Sequence, residues 1–233
     1  MDEQVSFWNE WNLKYRKLDK EVDGYMARQI QVAMDSLPKG RRGRVLEIGC
    51  GTGWLSAALC GFADVVGIDL SPEAIEEAKR RESGGQFFAG DVLALDLPGQ
   101  FDLIVTADTM AHIPDHPAFI ERVRNLLPVN GTLLLMTQNA FVWNRSSQLK
   151  APGKGHFRKW PRLGELKQLL RPSFRIEKIT SIVPQGDKGI LRLLNSRYCA
   201  GVFRKIIGVQ KQEELYEWAL IGKELVIVAT RRA

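Results

Sequence analysis

Short apolar runs separated by polar turns recur along the chain, and most have the length of a buried strand. Such runs lie at residues 44–48, 64–69, 87–89, 101–106, 132–137, 174–183 and 225–230. Helical segments fall between them, and one begins after Ser71 with Pro72 and Glu73, which are an N-cap, an N1 proline and an early acid. The alternation predicts an α/β fold in which helices cover both faces of a parallel sheet.

Three parts of the chain fall outside this alternation and predict additions to the sheet. The pattern predicts one or two helices over residues 4–37 that end before Pro38, so we expect an N-terminal helical cap at residues 1–37. Residues 38–233 then make up the α/β domain, with insertions at about 139–172 and 185–223. The cap carries an aromatic stripe, which is typical of core packing but could instead form a wall of a substrate site. Its members are Phe7, Trp8, Trp11 and Tyr15.

The ends and the cysteines of the chain indicate where the protein resides. The first residues have neither a basic n-region nor an apolar h-region, so we expect no signal peptide. No apolar run approaches the roughly 18 residues of a membrane span. Cys50, Cys60 and Cys199 follow no disulfide or metal-binding spacing. The sequence therefore favours a cytoplasmic protein with reduced thiols.

Charge is distributed unevenly along the chain. Residues 140–211 contain 16 Lys or Arg and 3 Asp or Glu, a net charge of +13, whereas the whole chain carries +6 and the remainder therefore −7. A solvated basic face is the simplest interpretation. The functional alternative is attraction to an anionic substrate, a membrane surface or a nucleic acid.

A glycine-rich turn follows the first strand, and two carboxylates end later strands. Gly49, Gly51 and Gly53 form the turn, Asp69 ends the second strand and Asp91 follows the third. A carboxylate about 20 residues beyond such a turn is typical of ribose binding. A dinucleotide fingerprint would need a small residue where Trp54 stands, so the pattern predicts an adenosine ligand that lacks a pyrophosphate.

Residues 44–137 resemble the core of the class I S-adenosylmethionine-dependent methyltransferases, and most of all the small-molecule branch that includes the ubiquinone-biosynthesis O-methyltransferases. The motifs that carry the resemblance are VLEIGCGTG at 45–53, VVGIDLS at 65–71, GDV at 90–92, FDLIV at 101–105, HIPD at 112–115 and NLLPVNGTL at 125–133. The resemblance implies a Rossmann-like sheet of seven strands whose last strand is antiparallel. It also implies helical cap elements and S-adenosylmethionine as the cofactor.

The resemblance places the cofactor at the carboxyl ends of the first four strands. The implied binding residues are Glu47, Gly49, Cys50, Gly51, Gly53, Asp69, Leu70, Asp91, Val92 and Ala107. Asp69 would accept from both ribose hydroxyls, and Leu70 would pack on the adenine. Asp91 would accept from the adenine amino group beside the Val92 amide. Glu47 would reach the amino end of the ligand through water.

His112 is the candidate catalytic base, because it lies in the loop after the fourth strand, beside the implied methyl donor. A hydroxyl acceptor usually needs a base, and the pKa range of histidine suits the task. The alternative is that His112 only orders this loop. Asp108 keeps one acid nearby, but Ala111 stands where the ubiquinone enzymes commonly have a glutamate. We therefore expect no metal site, and we expect Asp115 to be a helix cap.

The acceptor should be bound by parts of the chain outside the shared core. The segment 151–161 has glycines typical of a mobile loop, together with Lys154, His156, Arg158 and Lys159. We expect His156, Arg158 and Lys159, together with Asp108, to bind the acceptor, and the two cations to hold its phosphate or carboxylate.

A second basic segment, residues 191–208, predicts one amphipathic helix. Leu191, Leu194, Tyr198, Val202 and Ile206 follow helical spacing, with basic residues mainly off that line. The helix could pack on its own domain, or lie on an anionic membrane surface.

Three functions remain open at this stage. The first is methyl transfer to a small or lipid-linked, anionic acceptor at oxygen. The second is RNA methylation, which only the basic segment supports, since no RNA-binding module accompanies it. The third is a regulatory protein that binds the cofactor without turnover.

Overall fold

The computed structural model describes residues 2–15, 23–40, 42–82, 84–97, 99–149, 151–153 and 156–233. The strands are β1 (Gly43–Ile48), β2 (Ala63–Asp69), β3 (Gln86–Ala89), β4 (Leu103–Ala107), β5 (Thr132–Gln138), β6 (Phe174–Pro184) and β7 (Gly222–Arg231). The first helices are α1 (Asp2–Tyr15), α2 (Gly24–Asp35), α3 (Trp54–Cys60), α4 (Pro72–Arg81) and α5 (His116–Leu126). The later ones are α6 (Ala140–Trp143), α7 (Leu163–Leu170), α8 (Gly189–Leu194), α9 (Arg197–Ile207) and α10 (Val209–Trp218).

The seven strands form one sheet in the order β3-β2-β1-β4-β5-β7-β6. Strands β1 to β5 pair in parallel, and β7 pairs antiparallel with both β5 and β6. The predicted Rossmann-like sheet with an antiparallel last strand is therefore confirmed. The strand order reverses at β1 and β4, so a crevice is expected at the carboxyl ends of these two strands.

Alternate residues of the same strands build a separate core on each face of the sheet. Leu46, Ile104 and Leu135 lie in one buried cluster together with residues of α5 and α7. Val45 and Val105 point the other way, into a cluster that contains α3 and the cap helix α2. Both faces of the central strands are thus covered, which explains why these strands are continuous apolar runs in the sequence.

Helix starts follow the polar signals in the sequence. Ser71 Oγ accepts from Ala74 N at 3.1 Å at the start of α4, and Asp115 Oδ1 accepts from Ala118 N at 2.9 Å at the start of α5. The expectation that Asp115 is a helix cap is confirmed. None of the described helices is long and apolar enough to cross a membrane.

The prediction of one helix over 191–208 is wrong, because the segment is divided between α8 and α9. The break falls at Asn195 and Ser196. Asn195 Nδ2 donates to Gly186 O at 3.0 Å, and Ser196 Oγ accepts from Cys199 N at 3.2 Å and begins a new helix. Short polar side chains that bond to the backbone compete with helix continuation, and here they end α8.

Gly222 is a position where the sheet leaves no room for a side chain. A Cβ atom there would lie 2.3 Å from Ile182 O on the neighbouring strand. We expect Gly222→Ala to lower the free energy of unfolding by about 1–3 kcal/mol, because the strands would have to move apart. Urea unfolding measures the change.

Gly164 in α7 is the matched control, because a Cβ there would meet nothing within 4 Å. Gly164→Ala should leave stability unchanged or raise it by up to about 1 kcal/mol through helix propensity. Equal stability of the Gly222 variant and the parent would contradict the close packing of β6 and β7.

Candidate functional site

A cavity of about 640 Å³ opens at the carboxyl edge of the sheet, where the strand order reverses. Its floor is the ends of β1, β2 and β4, and α1 and α2 contribute to its walls. Of the residues predicted to bind the cofactor, all but Gly53 line it: Glu47, Gly49, Cys50, Gly51, Asp69, Leu70, Asp91, Val92 and Ala107. The cavity therefore brings together residues that are far apart in the sequence.

The three glycines of the turn after β1 meet different neighbours, although all have positive φ. A Cβ at Gly49 would lie 1.9 Å from Thr109 Oγ1, and one at Gly53 would lie 2.9 Å from the Cβ of Ala78. These two positions are closed by the protein itself. A Cβ at Gly51 would have a looser contact, with Asn12 Oδ1 at 3.3 Å as its nearest neighbour. Gly51 is thus the least enclosed of the three glycines.

Asp69 holds the turn from the neighbouring strand. Its Oδ2 accepts from Gly51 N at 2.8 Å, and its Oδ1 accepts from Ser71 N at 2.9 Å. Burial raises the pKa of Asp69, and the hydrogen bonds from Ser71 and Gly51 oppose that rise. An ionised carboxylate can accept about four hydrogen bonds, so lone pairs remain for further donors.

The carboxylates of Asp91 and Glu47 also accept hydrogen bonds from the protein itself. Asp91 Oδ1 accepts from Leu93 N at 2.9 Å. Glu47 is buried, and its Oε2 accepts from Ser56 Oγ at 2.5 Å. These contacts fix both carboxylates on the cavity wall.

His112 lines the cavity in the 3-10 turn Met110–His112 that follows β4. Its Nδ1 lies 3.0 Å from Phe157 O, and a carbonyl oxygen can only accept, so Nδ1 carries the proton. Nε2 is therefore left with the lone pair in the neutral ring. Burial, the largest influence, and the nearby Arg158 lower the pKa of His112, although the bond to Phe157 raises it. Neutral His112 can thus serve as a base at neutral pH.

His156 lies next to His112. Its Nε2 lies 3.3 Å from His112 Nδ1, and its ring stacks on Phe7 with centroids 4.4 Å apart. Burial and the neighbouring His112 and Arg158 lower the pKa of His156 to about 4. His156 is not among the described residues that line the cavity, so the structure places it as a partner of His112.

The other residues predicted to bind the acceptor do not all line the cavity. Asp108 lines the cavity, whereas Arg158 and Lys159 are absent from its described lining. The Arg158 guanidinium lies 4.6 Å from the centre of the Trp160 ring, and Lys159 N donates to Ala111 O at 2.8 Å. These contacts tie the described part of the expected mobile loop to the turn after β4. Lys154 lies outside the described residues.

The helical cap contributes a polar network that sequence analysis missed. Tyr25 Oη donates to Asp108 Oδ2 at 2.6 Å, and Gln29 Nε2 donates to Glu224 Oε1 at 2.7 Å. Lys223 Nζ lies 3.5 Å from the centre of the Tyr25 ring. Burial and the nearby Asp108 raise the pKa of Glu224 well above its ordinary value. The only sequence signal was the charged pair at positions 223 and 224, directly before an apolar run.

Asp108 is presented to the cavity by an unusual backbone conformation. Its φ of +57° lies in the left-handed region, which aspartate adopts more readily than most residues. Asp108 N donates to Met136 O at 3.0 Å, so the strand pairing continues past this residue. The side chain is thereby directed toward the cap helix α2.

The aromatic stripe of α1 contributes to the cavity rather than only to the core. Trp8 and Trp11 line it, and the Trp8 ring meets the His112 ring edge-on with centroids 4.6 Å apart. Phe7 contacts the ring of His156. The side chain of Tyr15 lies outside what the structure describes. Indole rings at a cavity wall are suited to cover flat or apolar parts of an acceptor.

Metal ligation finds no support in the part of the chain that the structure describes. No group of three or more His, Cys, Asp or Glu is arranged there to hold an ion. His116 Nε2 lies 3.1 Å from Met110 O, and Asp115 caps α5, so both side chains already have protein partners.

Comparison with known proteins connects this cavity to a family. A family model described as a methyltransferase domain matches residues 18–182. The ubiquinone biosynthesis O-methyltransferase of Xanthomonas campestris is 39% identical over 103 residues, which cover 41% of this chain and 43% of that enzyme. The enzyme of the same name from Pseudomonas aeruginosa is 32% identical over 139 residues, which cover 53% of this chain and 60% of the relative. The chain thus matches less than two thirds of these curated relatives.

Solved structures share the fold at low sequence identity. The TehB-like SAM-dependent methyltransferase from Corynebacterium glutamicum superposes with a TM-score of 0.62 at 18% identity, over 97% of this chain and 99% of that one. The N-methyltransferase NodS from Bradyrhizobium japonicum, in complex with S-adenosyl-L-homocysteine, gives 0.66 at 18% identity over 99% of each chain. With most of its length matched by the family model and this sheet order, the chain belongs to the methyltransferase domain family of class I S-adenosylmethionine-dependent methyltransferases.

Proposed function

We propose that the protein transfers a methyl group from S-adenosylmethionine to a hydroxyl oxygen of a small acceptor. The observation that carries the proposal is the position of His112. His112, whose Nδ1 is held by Phe157 O and whose Nε2 is left unprotonated, lines the same cavity as Gly51, Asp69 and Asp91. A nucleoside site and a neutral base thus share one enclosed space.

The cavity residues fit the cofactor chemically. Gly51 is the least enclosed glycine of the turn, and Asp69, which the turn holds at the cavity wall, can accept from a ribose hydroxyl. Asp91 is ready to accept from an adenine amino group, next to Leu70 and Val92 as apolar contacts. When bound, the cofactor supplies a methyl group activated by a sulfonium.

The residues of the chain then have two tasks in the reaction. The walls formed by Trp8, Trp11 and Trp143 hold the acceptor in line and exclude water. His112 Nε2 takes the hydroxyl proton as the new C–O bond forms and the C–S bond breaks. The imidazolium later releases this proton to solvent, which restores the neutral base.

Oxygen as the methylated atom is supported by the relatives that share the core. Both ubiquinone biosynthesis enzymes carry the name O-methyltransferase. Their match covers only part of each protein, so the acceptor itself is inferred from the cavity of this chain. The NodS structure, named an N-methyltransferase, is 18% identical and supports the fold alone.

We also propose that the acceptor carries an anionic group, but that a different residue from those predicted binds it. Lys223 lines the cavity, whereas Arg158 and Lys159 do not belong to its described lining. Lys223 also lies on β7, next to the Tyr25–Asp108 pair on which we expect the acceptor to rest. We therefore assign recognition of a phosphate or carboxylate to Lys223.

Asp69→Ala should weaken binding of S-adenosylhomocysteine by roughly 1.5–3 kcal/mol, the scale of a hydrogen bond to a charged group. Titration calorimetry measures the loss. Asp64→Ala is the matched control on the same strand, because Asp64 is exposed and pairs only with Arg42 among the salt bridges found. Unchanged affinity in the Asp69 variant would refute the nucleoside site.

His112→Ala should lower kcat by about 10²–10⁴-fold, the usual contribution of a general base. The rate of S-adenosylhomocysteine release with a phenolic acceptor found by screening measures it. Affinity for S-adenosylhomocysteine should stay at the parent value, because His112 is not expected to contact the nucleoside. His116→Gln is the control for loss of an imidazole outside the cavity lining.

The pH profile separates a base from a residue that only orders the loop. A base must be unprotonated, so kcat should be constant near pH 7 and fall as the pH drops through a pKa below 6.5, the ordinary value for histidine. The His112→Ala variant should lose this dependence. Near-normal turnover in the variant would mean that the acceptor is already ionised, and that His112 is structural.

Lys223→Gln should raise the KM for an anionic acceptor by roughly 10- to 100-fold and leave cofactor affinity unchanged. The double variant Arg158→Gln/Lys159→Gln is the comparison. A larger KM increase in the double variant would return anion recognition to the segment at 156–159. Parent values in both variants would show that the acceptor is neutral at this site.

A further inference from the structure

The insertion between β6 and β7 exposes a patch of apolar side chains, which we name the α8–α9 surface. Its apolar members are Ile190, Leu193, Tyr198, Val202 and Ile206, all of them exposed. Tyr198 is 80% and Ile206 is 74% exposed, so these side chains stand almost free in water. Scattered single apolar residues are ordinary on a protein surface, but a contiguous set marks an interaction site.

The apolar residues of α9 form a stripe on one side of that helix. Tyr198, Val202 and Ile206 are four residues apart, and residues at this spacing are neighbours on a helix face. Lys205 lies beside the stripe and Arg204 lies further around the helix, and both are exposed. This separation of apolar and cationic positions is typical of helices that lie in a membrane interface.

The stripe is exposed although the inner side of the insertion is firmly packed. Leu191, Tyr216, Val142 and Ile221 form a buried cluster beneath it. Tyr216 Oη donates to Leu194 O at 2.9 Å, and Gln212 Nε2 donates to Ala200 O at 3.0 Å. The fold therefore holds the apolar stripe outward.

Charge identifies the partner that this surface fits. Residues 188–212 contain six Lys or Arg and no Asp or Glu. Arg192, Arg204 and Lys205 are exposed there, and the exposed acids that flank this range are Asp187 before α8 and Glu213 and Glu214 on α10. A protein partner would match the apolar stripe without needing this excess of cations. A nucleic acid would match the cations but not the aliphatic stripe.

The surface adjoins the acceptor side of the cavity. The buried cluster beneath it includes Val142 of α6, and the next residue, Trp143, lines the cavity. Trp143 Nε1 donates to Lys223 O at 3.0 Å, and Lys223 also lines the cavity. A membrane bound at α8 and α9 would thus lie close to the part of the cavity that we assign to the acceptor.

We propose that the α8–α9 surface docks the protein on anionic phospholipid bilayers. Its apolar stripe enters the headgroup region, and its cations face the phosphate groups. The docking does not require methyl transfer, so it can be tested without an acceptor. It extends the proposed function by indicating that the acceptor is drawn from the bilayer.

Vesicle sedimentation with the full chain tests the proposal, using phosphatidylcholine vesicles with and without 30% phosphatidylglycerol, a composition chosen for the assay. We expect the parent to sediment with the anionic vesicles and to be released by salt, because a Debye length near 8 Å already applies at about 0.15 M. Tyr198→Ser/Ile206→Ser should lower partitioning about tenfold or more, since apolar contact is lost. Arg204→Gln/Lys205→Gln should lower it roughly 10- to 30-fold.

Matched controls use residues outside the insertion. Phe62→Ser removes an apolar side chain that is 59% exposed before β2, and Arg171→Gln/Lys178→Gln removes two exposed cations. Both controls should partition like the parent. Unchanged S-adenosylhomocysteine affinity and melting temperature would show that the α9 variants are folded, and failure of methyl transfer in every variant would leave the docking result intact.

Three results would overturn the proposal. One is equal partitioning of the parent onto neutral and anionic vesicles, and another is parent-like partitioning of both α9 variants. The third is a parent dimer that Tyr198→Ser/Ile206→Ser converts to a monomer without any change in vesicle binding, as seen by light scattering. The stripe would then be an interface between two copies of the chain.

Discussion

One carboxylate joins the ends of the neighbouring strands β1 and β2. Asp69 at the end of β2 accepts from the backbone N–H of Gly51 in the turn after β1, and from Ser71 at the start of α4. These bonds fix the turn in a left-handed conformation that only glycine adopts freely. Because Gly49 and Gly53 pack against Thr109 and Ala78, the same turn also determines where the loop after β4 and helix α4 lie. The proposed nucleoside site therefore depends on a constraint that comes from the fold of the protein itself.

The acceptor side of the cavity depends on a second constraint, which comes from the cap. Helix α2 packs into the sheet core and carries Gln29, whose side chain donates to the fully buried Glu224. An ionised carboxylate buried in this way is costly, and this burial raises the pKa of Glu224 well above its ordinary value. Arg28 on the same helix donates to Glu217 on α10 at 3.1 Å through Nε. The cap is thus fastened at several points to the insertion and to the last strand, so cap and sheet form the cavity together.

The sequence predicts best what depends on neighbouring residues. The central strands are buried on both faces, so each leaves a continuous apolar run, and the Ser71 and Asp115 caps leave local signals. The glycine-rich turn, Asp69 and Asp91 could be located from the sequence because each lies at or just after the end of a predicted strand, whereas their roles toward the cofactor are what the family resemblance implies. The sequence alone leaves two positions for Trp8, in the protein core or in the wall of a substrate site. Only the packing of α1 against the cavity distinguishes them.

Residues that meet across long distances in the chain left no such signal. Gln29 and Glu224 are 195 positions apart, and nothing local to either one indicates the other. Arg158 has the charge expected of an acceptor ligand, but its stacking on Trp160 depends on how residues 156–160 bend beside the loop after β4. The break between α8 and α9 could be predicted only in part. Ser196 caps α9 through a local bond to Cys199 N, whereas Asn195 bonds to Gly186 O, nine positions away, which its neighbours in the sequence do not indicate.

The β6–β7 insertion combines features that would be unfavourable in a protein surrounded only by water. Packing of Leu191, Tyr216 and Ile221 beneath α8 and α9 would be possible with polar residues at Tyr198, Val202 and Ile206 above. Polar residues there would avoid the hydrophobic cost of exposure, which is about 25 cal/mol per Å² of apolar surface. This cost of exposure is offset only if the stripe is covered in some state of the protein. An apolar acceptor has the same need, since it too must leave water to reach the tryptophan-lined side of the cavity. A bilayer that covers the stripe would also hold such an acceptor, and this shared requirement links the surface of the insertion to the chemistry that we propose for His112.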